Sequence, residues 1–459
     1  MENVYTVPKD TEITNQVILD AINYNEKYKA RYNLLEDYYI GKHAIVRRNK
    51  SIGLMNNKVV VNHAKYITDT NIGYLLGNPV DYQVSEEYED VVQPILDAYS
   101  RQTINDLDSE IAKDVSVFGS QYEYIYANEA AEPKSCEIDD RNAIIVYDDT
   151  VEHNKLFGII YRPVKNGRKL THYEVTVCTD RELRQYKVNT AALVPVAPPQ
   201  PHKFGLVPLI QYKNNPELMG DYEPVISLID AYNTLQSDRI NDKEQLVDAI
   251  LCLYGMDFDE EQADMLKDSR MLANIPTDGK VEYLVKTLHE TDVDVLRKNI
   301  EADIHKISMT PNMSDENFVG NSSGVAIRYK LLAFEQNIKN KERYMEKGLM
   351  ERFSIYNNYL VAVSKMTKII PIEDVDAVFK RNLPSNDLEI SQMINNLSDY
   401  VDAETLVSQL SFIKDASEIV ELKKKEDEEK EPEESYNNQF SVNQVPDVNT
   451  AEPITEPEE

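Results

Sequence analysis

From Thr14 to about Tyr39 the apolar positions Val17, Ile18, Ala21, Tyr24, Tyr28, Tyr32, Leu35 and Tyr39 recur at the spacing of one helix face, and Gly41 marks a stop. Between Val117 and Lys187 the period changes to two. QYEYIYA, AIIVY, FGIIYRPV, THYEVTVC and RQYKV alternate apolar and polar residues in short runs, which predicts an antiparallel sheet. Asn166-Gly167 separates two of these runs and is a strong two-residue hairpin signal, because both positions need positive φ. The proline-rich VPVAPPQP, Val194 to Pro201, lacks donors for a ladder and reads as a stiff connector.

Helix dominates the next part. From Asp221 to Leu253 the positions Val225, Leu228, Ile229, Tyr232, Leu235, Ile240, Val247 and Ile250 form a stripe, and Gly255 is its stop. At 1.5 Å per residue such a helix runs roughly 50 Å. A compact piece with Pro276, Gly279 and the possible strand VEYLV follows, then a helical stretch from about Thr291 to Met309. The polar loop SDENFVGNSSG leads into a predicted helix from Val325 to about Ser364, roughly 60 Å long, with Ile338, Met345, Leu349, Phe353, Tyr356 and Leu360 on one side. Helices of this length, in a chain with too few residues to cover them, bury their faces against copies of themselves. An oligomer is therefore expected. DAVFK is strand-like, and Ser385 to Val420 holds short helices with Ser385, Asp402 and Asp415 as N-caps.

Charge changes the picture. The chain has 459 residues, with 49 Lys and Arg against 80 Asp and Glu, a net charge of −31. That balance argues against gripping DNA by counterion release, which needs a basic face. It leaves open a wall past which DNA slides. The basic stretch Lys42, Arg47, Arg48 and Lys50 reads as a solvated loop, with contact to DNA or a neighbouring subunit as the alternative. From Glu426 onward there are 12 acids and one lysine with few apolar residues, so a disordered acidic tail is expected. Cys136, Cys178 and Cys252 lack CxxC spacing, which fits a reducing compartment. No run of 18 apolar residues occurs, so no membrane helix is expected, and MENVYTVPKDTE carries no secretory pattern.

Catalytic chemistry finds no foothold in the sequence. The histidines at 43, 63, 153, 172, 202, 289 and 305 show no metal-ligand spacing. GNSSG, Gly320 to Gly324, lacks the Lys-Ser/Thr that a phosphate-binding loop needs. Asp148 and Asp149 are adjacent at a strand end, where side chains point to opposite faces, and read as a turn. No enzyme activity, metal or cofactor is expected.

Four blocks in order carry a family likeness. NKVVVNHAKYITDTNIGYLLGNPVDY, Asn57 to Tyr82, with Tyr74 and Gly77-Asn78-Pro79-Val80, is similar to the N-terminal signature of portal proteins from long-tailed phages of Gram-positive bacteria. FGSQYEYIY, Phe118 to Tyr126, resembles the start of that family's wing sheet. FGLVPLIQYKNNPELMGDYEPVISLIDAYNTLQSDRINDKEQLVDAIL, Phe204 to Leu251, resembles its approach to the stem helix. DENFVGNSSGVAIRYKLL, Asp315 to Leu332, resembles its tunnel loop running into the tunnel helix. The likeness covers roughly residues 15 to 425.

The resemblance implies an α+β portal-type fold. Residues 1–220 would form a wing of N-terminal helices and antiparallel sheet, 221–253 a stem helix, 254–289 a clip and 290–310 a second stem helix. Residues 311–324 would carry the tunnel loop, 325–384 the tunnel helix and return to the wing, 385–425 a helical crown, and 426–459 the tail. It further implies a homo-oligomeric ring, commonly of twelve, around a channel for double-stranded DNA. Partners would be the terminase large subunit, the head–tail adaptor, and the capsid and scaffolding proteins. The loop Asp315, Glu316, Asn317, Phe318, Val319, Gly320, Asn321, Ser322 and Ser323 would line the narrowest part of the channel. The family commonly has glycine where Val319 stands. Arg328 and Lys330 are candidate DNA contacts, and Asp238, Arg239, Asp242 and Lys243 candidate inter-subunit contacts on the stem. Two other readings compete: an ATP-driven motor, opposed by the missing Walker motif, and an acidic scaffolding protein, opposed by the sheet.

Overall fold

The computed structural model describes residues 4–51, 55–167, 169–189, 192–247, 250–254, 279–284, 290–313, 329, 331–381, 392, 394–398, 400–407, 419–420 and 422–425. The chain divides into two compact units, Met1–Asn382 and Leu383–Glu459. The first is mixed α+β, as the sequence pattern predicts. It opens with β1 (Tyr5–Val7), α1 (Asn15–Glu26), α2 (Lys29–Tyr39), α3 (His63–Leu75), β2 (Asp81–Val84), α4 (Glu89–Ser100) and α5 (Ile104–Phe118). Strands follow: β3 (Ser120–Ala127), β4 (Pro133–Ile138), β5 (Ala143–Asp148), β6 (Lys155–Asn166), β7 (Lys169–Cys178) and β8 (Glu182–Val188). The strand region closes with β9 (Leu193–Pro195), β10 (Gln200–Pro201) and β11 (Leu209–Lys213). Next come α6 (Ile226–Val247), β12 (Ile250–Tyr254), β13 (Lys280–Leu284), α7 (Glu290–Ile307), α8 (Leu332–Ala362) and β14 (Val375–Val378).

The single predicted sheet is two sheets. A seven-stranded one runs β1-β5-β6-β7-β8-β10 with β9 also on β8, and a three-stranded one runs β11-β3-β4. The β6–β7 hairpin forms, but one residue further on than the Asn166-Gly167 turn predicts: Asn166 is still in the ladder, paired with Lys169, and of the two only Gly167 has positive φ, +61°. The proline-rich segment is not a free connector. Pro195 stands opposite Tyr186 and Pro201 opposite Glu182, so both ends add to the β8 edge, where a missing N–H is tolerated. Between α5 and β3 the chain turns at Gly119 with φ +90°, and a Cβ there would lie 2.1 Å from the Leu218 carbonyl oxygen.

The expected helix from Thr14 to Tyr39 is two helices. Thr14 caps the first, accepting from Val17 N at 3.4 Å, and Tyr28 N bonds Asn25 O at the break. The reason is that the halves serve different cores. Ile18, Ala21 and Ile22 pack on the inner face of the seven-stranded sheet, whereas Tyr32, Leu35 and Tyr38 pack against Val225, Ile229 and Ile304. Asn25 pins the junction, donating to Asp140 O, Ala143 O and Tyr161 Oη at 2.7, 3.0 and 3.1 Å.

The stripe expected from Asp221 to Leu253 is helical only over α6, after a 3-10 turn at Glu223–Val225. Its last part, Ile250–Tyr254, is β12, antiparallel to β13, which matches the expected VEYLV strand. A short apolar run does not distinguish helix from strand by period alone, and here the pairing partner decides. The helical stretch expected from about Thr291 to Met309 and the DAVFK strand form as α7 and β14, the latter beside β2.

The long helix α8 buries Met345, Leu349, Phe353, Tyr356 and Leu360 against Val92, Ile95, Ile111 and Ile210 of its own chain. Ile338 is buried with Tyr74 and Phe334. That stripe is therefore covered internally, because α4, α5 and β11 reach it, and it leaves nothing for a second copy. Residues 325–328 of the expected helix and the tunnel loop at 315–323 lie outside the described residues, as do Ser385, Asp415, most of 254–289 and the acidic tail. In the second unit Asp402 does cap a short helix, α9 (Ala403–Val407), accepting from Thr405 N at 2.8 Å.

Candidate functional site

The elements that the sequence likeness assigns to a stem are α6 and α7, which pack on each other, and the antiparallel β12–β13 pair falls between them in sequence. Their inner faces hold Ile229, Tyr232 and Ile304. Their outer faces leave large apolar side chains in solvent: Ile240 is 39 % exposed, Val295 52 %, Leu296 50 % and Ile307 50 %.

A strap from the signature block lies along α6. Val61 N donates to Asn233 Oδ1, Val59 N to Ser237 Oγ and Asn57 N to Asn241 Oδ1, at 2.8, 2.9 and 2.8 Å. The match is geometric. Four helical residues rise about 6 Å and two extended residues span about 6.6 Å, so every second strap amide meets every fourth helix side chain. His43 completes it. Asn233 Nδ2 donates to His43 Nδ1 at 2.8 Å, and His43 Nε2 donates to Tyr38 O at 2.9 Å, which fits a neutral ring that burial holds below the usual imidazole range. Sequence reasoning missed this ladder; the signal was three small polar residues at intervals of four inside a helical stripe.

Carboxylates of α6 and α2 pair with the basic stretch. Arg48 and Lys50 both pair with Asp238, at 2.9 and 2.7 Å, and Arg47 pairs with Asp37 at 2.5 Å. Arg239 Nη1 lies 3.9 Å from Asp294 of α7, and Asp242 and Lys243 have interactions of their own. The four stem residues singled out from sequence thus lie on α6, and at least Asp238 and Arg239 are engaged within one chain.

The approach to residue 314 is anchored. Tyr66 Oη donates to Pro311 O and accepts from Met313 N, both at 3.0 Å, while Thr310 O is 3.0 Å from His305 Nδ1. Asn312 Nδ2 donates to Glu301 Oε1 at 3.1 Å. The candidate loop residues 315–323, Arg328 and Lys330 lie outside the described residues.

Asp221, just ahead of the 3-10 turn that leads into α6, joins four elements. Its carboxylate accepts from Asn71 Nδ2, Ser116 Oγ and Asn214 Nδ2 at 2.8, 2.6 and 2.7 Å, and pairs with Lys341 of α8. A buried charge is tolerated only when so satisfied. Asp148, by contrast, holds a turn: Thr150 and Asn154 donate to it, which lowers its carboxyl below the usual range. Among the described residues no group of three His, Cys, Asp or Glu is placed to hold a metal ion, and no helix is long and apolar enough to cross a membrane.

The sequence model of the family described as "Phage portal protein, SPP1 Gp6-like" matches residues 19–432. The chain belongs to this family. Among its relatives is the portal protein of Bacillus phage SPP1, 25 % identical over 386 residues, which are 79 % of this chain and 75 % of that protein. The portal protein of Clostridium phage phiCD119 is 21 % identical over 228 residues, 48 % of this chain and 49 % of the relative's length. Family membership gives the chain the function of a phage portal and favours it over internal scaffolding.

Proposed function

We propose that copies of this chain close into a ring at one capsid vertex, with α6 and α7 forming the wall of a DNA channel. The observation that supports this most directly is the apolar surface left uncovered on the stem pair, Ile240, Val295 and Leu296. A monomer gains nothing from exposing such side chains along one rod, whereas neighbours in a ring bury them.

On this reading residues 1–220 are the wing, 221–253 and 290–310 the stem, 254–289 the clip, 325–384 the tunnel helix with its return, and 385–425 the crown. The ring commonly has twelve subunits. The clip would meet the terminase large subunit and later the head–tail adaptor, and the wing and crown would meet capsid and scaffolding proteins. Double-stranded DNA would be packaged, retained and ejected through the channel, with no catalysis by the chain and assembly in the host cytoplasm. Asp315 to Ser323 would line the constriction, and Arg328 and Lys330 would touch phosphates transiently. Arg239, Asp242 and Lys243 would exchange partners with the next stem, in competition with the pairs inside each chain; Asp238, already holding Arg48 and Lys50, would do so least.

Negative-stain imaging with native mass spectrometry of the purified chain tests this. Rings with a central hole are expected; a monodisperse monomer at micromolar concentration would contradict it. A disulfide tethering Asn321 to the tunnel helix tests the loop, and should stop packaging until reductant is added.

A further inference from the structure

The exposed side of α8 carries Lys339, Arg343 and Lys347, a row of cations at successive intervals of four. Like charges so spaced repel on a helix. Lys339 acts on the carboxylate of Glu335, but neither Arg343 nor Lys347 has an ion pair with a carboxylate among the described residues, where most other basic side chains of the first unit are paired; Lys347 overlies the Tyr344 ring at 5.3 Å. In a chain with 80 acids to 49 bases, two neighbouring cations without an ion pair, Arg343 and Lys347, are out of keeping with the rest.

The row borders a cleft of about 920 Å³ lined by Asn214, Asn215, Asn340, Arg343, Tyr344 and Lys347. Amide, hydroxyl and cationic donors therefore converge there, against the single carboxylate of Glu346 that is not already neutralised, Asp221 being held by Lys341. Lys213 lies close behind: burial, then the charges of Lys155 and Lys347, hold its ammonium below the usual lysine range. An added carboxylate would relieve that repulsion.

The same chain presents a surface of opposite sign. Glu86, Glu87, Glu89 and Asp90 are exposed where β2 runs into α4, and the antiparallel β2–β14 pairing sets Glu373 and Asp376 beside them. Among the described residues only Glu87 of these acids pairs with a cation, Lys368 at 2.7 Å. β2 reaches α8 on its buried side, where Tyr82 stacks on Phe353, so the acidic surface and the exposed basic row cannot meet within one chain. Head-to-tail contacts in a ring join two different surfaces of neighbouring copies.

We propose that the Arg343–Lys347 cleft is a subunit-contact site that receives the carboxylates of the Glu86–Asp90 surface of a second copy. A DNA duplex fits less well, because the site is one helix row wide and the surrounding chain is strongly acidic. The inference rests on the ring reading above and adds to it which surfaces meet.

The experiment compares four purified full-length chains by native mass spectrometry over a salt series: unaltered, Arg343→Glu with Lys347→Glu, the milder Arg343→Gln with Lys347→Gln, and the first pair combined with Glu89→Lys and Asp90→Lys. The unaltered chain should form rings. The reversed pair should lower the ring fraction at least tenfold at equal concentration, the neutral pair should make rings more salt-sensitive, and the combined variant should recover them. Monomer melting temperatures should stay alike, since all four side chains are exposed. Full ring formation by the reversed pair, or no recovery in the combined variant, overturns the contact. Intact rings with weakened binding of a short DNA duplex overturn it too, and assign the cleft to DNA. Absence of rings in the unaltered chain instead defeats the ring reading itself.

Discussion

Arg352 Nε of α8 donates to both oxygens of Glu123 on β3, at 2.8 and 3.0 Å, and both side chains are 0 % exposed. Arg352 Nη1 also lies 2.6 Å from Asp108 Oδ1 on α5, and Tyr212 Oη donates to Glu123 Oε2 at 2.6 Å. One guanidinium thus fixes α8 against α5 and the three-stranded sheet. Two carboxylates share one cation, and burial raises the Asp108 carboxyl above its usual range despite Arg352. Such a cluster sets the position of a helix more than it adds net stability.

Arg352→Met leaves both carboxylates buried without a cation. Urea unfolding should show a loss of about 3–5 kcal/mol. Arg352→Lys should lose less, since an ammonium keeps the charge without the planar fork. An unchanged midpoint for Arg352→Met would mean that the cluster is not formed.

The strap ladder predicts a local effect. Asn233→Ala, Ser237→Ala and Asn241→Ala each orphan one strap amide, at a cost of about 1–3 kcal/mol. Hydrogen exchange at Val61, Val59 and Asn57 respectively should speed up, while amides of the seven-stranded sheet stay protected. Uniform acceleration everywhere would instead mean that the strap opens only with the whole unit.

Much of this fold was legible because its signals were local. The period-two runs marked the strands from Ser120 to Val188, and Asn-Gly marked the β6–β7 turn. What failed depended on partners distant in sequence. No local rule shows that Ile250–Tyr254 pairs with Lys280–Leu284, or that the apolar side of α8 is covered by α4 and α5. The charged residues were the hardest case. Asp238 looks free on a helical wheel, yet its partners Arg48 and Lys50 come from about 190 residues away.

Gly348 of α8 packs directly on the ring of Tyr212 from β11. A Cβ there would lie 2.2 Å from the buried Tyr212 ring, so Gly348→Ala must push the helix away or displace that ring. Overpacking of this kind costs about 1–3 kcal/mol. Because Tyr212 also holds Glu123, the cost should be non-additive with Glu123→Gln in a double-mutant cycle read by urea unfolding. Strict additivity would show that the helix shifts without disturbing the cluster.

The last prediction concerns acid. His63, on α3, is 7 % exposed, with its ring edge-on to Tyr232 at 4.8 Å and to His305 at 5.8 Å. Burial, then the positive charge that His305 can carry, lowers its pKa to about 4, while Glu301 acts weakly the other way and His43 adds to the lowering. Its Nε2 is buried without a partner among the described residues. A proton therefore binds the unfolded chain more readily than the folded one. The stabilisation is complete above the ordinary imidazole pKa of 6.5 and is lost as pH falls toward 4. Asp140 has the opposite sign: burial raises its pKa to about 7, so its contribution grows over the same fall. The raw pH profile mixes the two, and a difference between variants separates them. His63→Phe keeps the ring packing and removes the titration. Its melting temperature relative to the unaltered chain should rise steadily from pH 7 to pH 4.5, by an amount equivalent to about 1–2 kcal/mol. Asp140→Asn should show the reverse trend. Because His63 and His305 sit beside the Tyr66 anchor of Pro311 and Met313, the hydrogen-exchange protection factor of the Met313 amide, taken against the intrinsic rate at each pH, should fall in acid for the unaltered chain and less for His63→Phe. A pH-independent difference between the two chains would show that His63 is protonated as easily when folded as when unfolded.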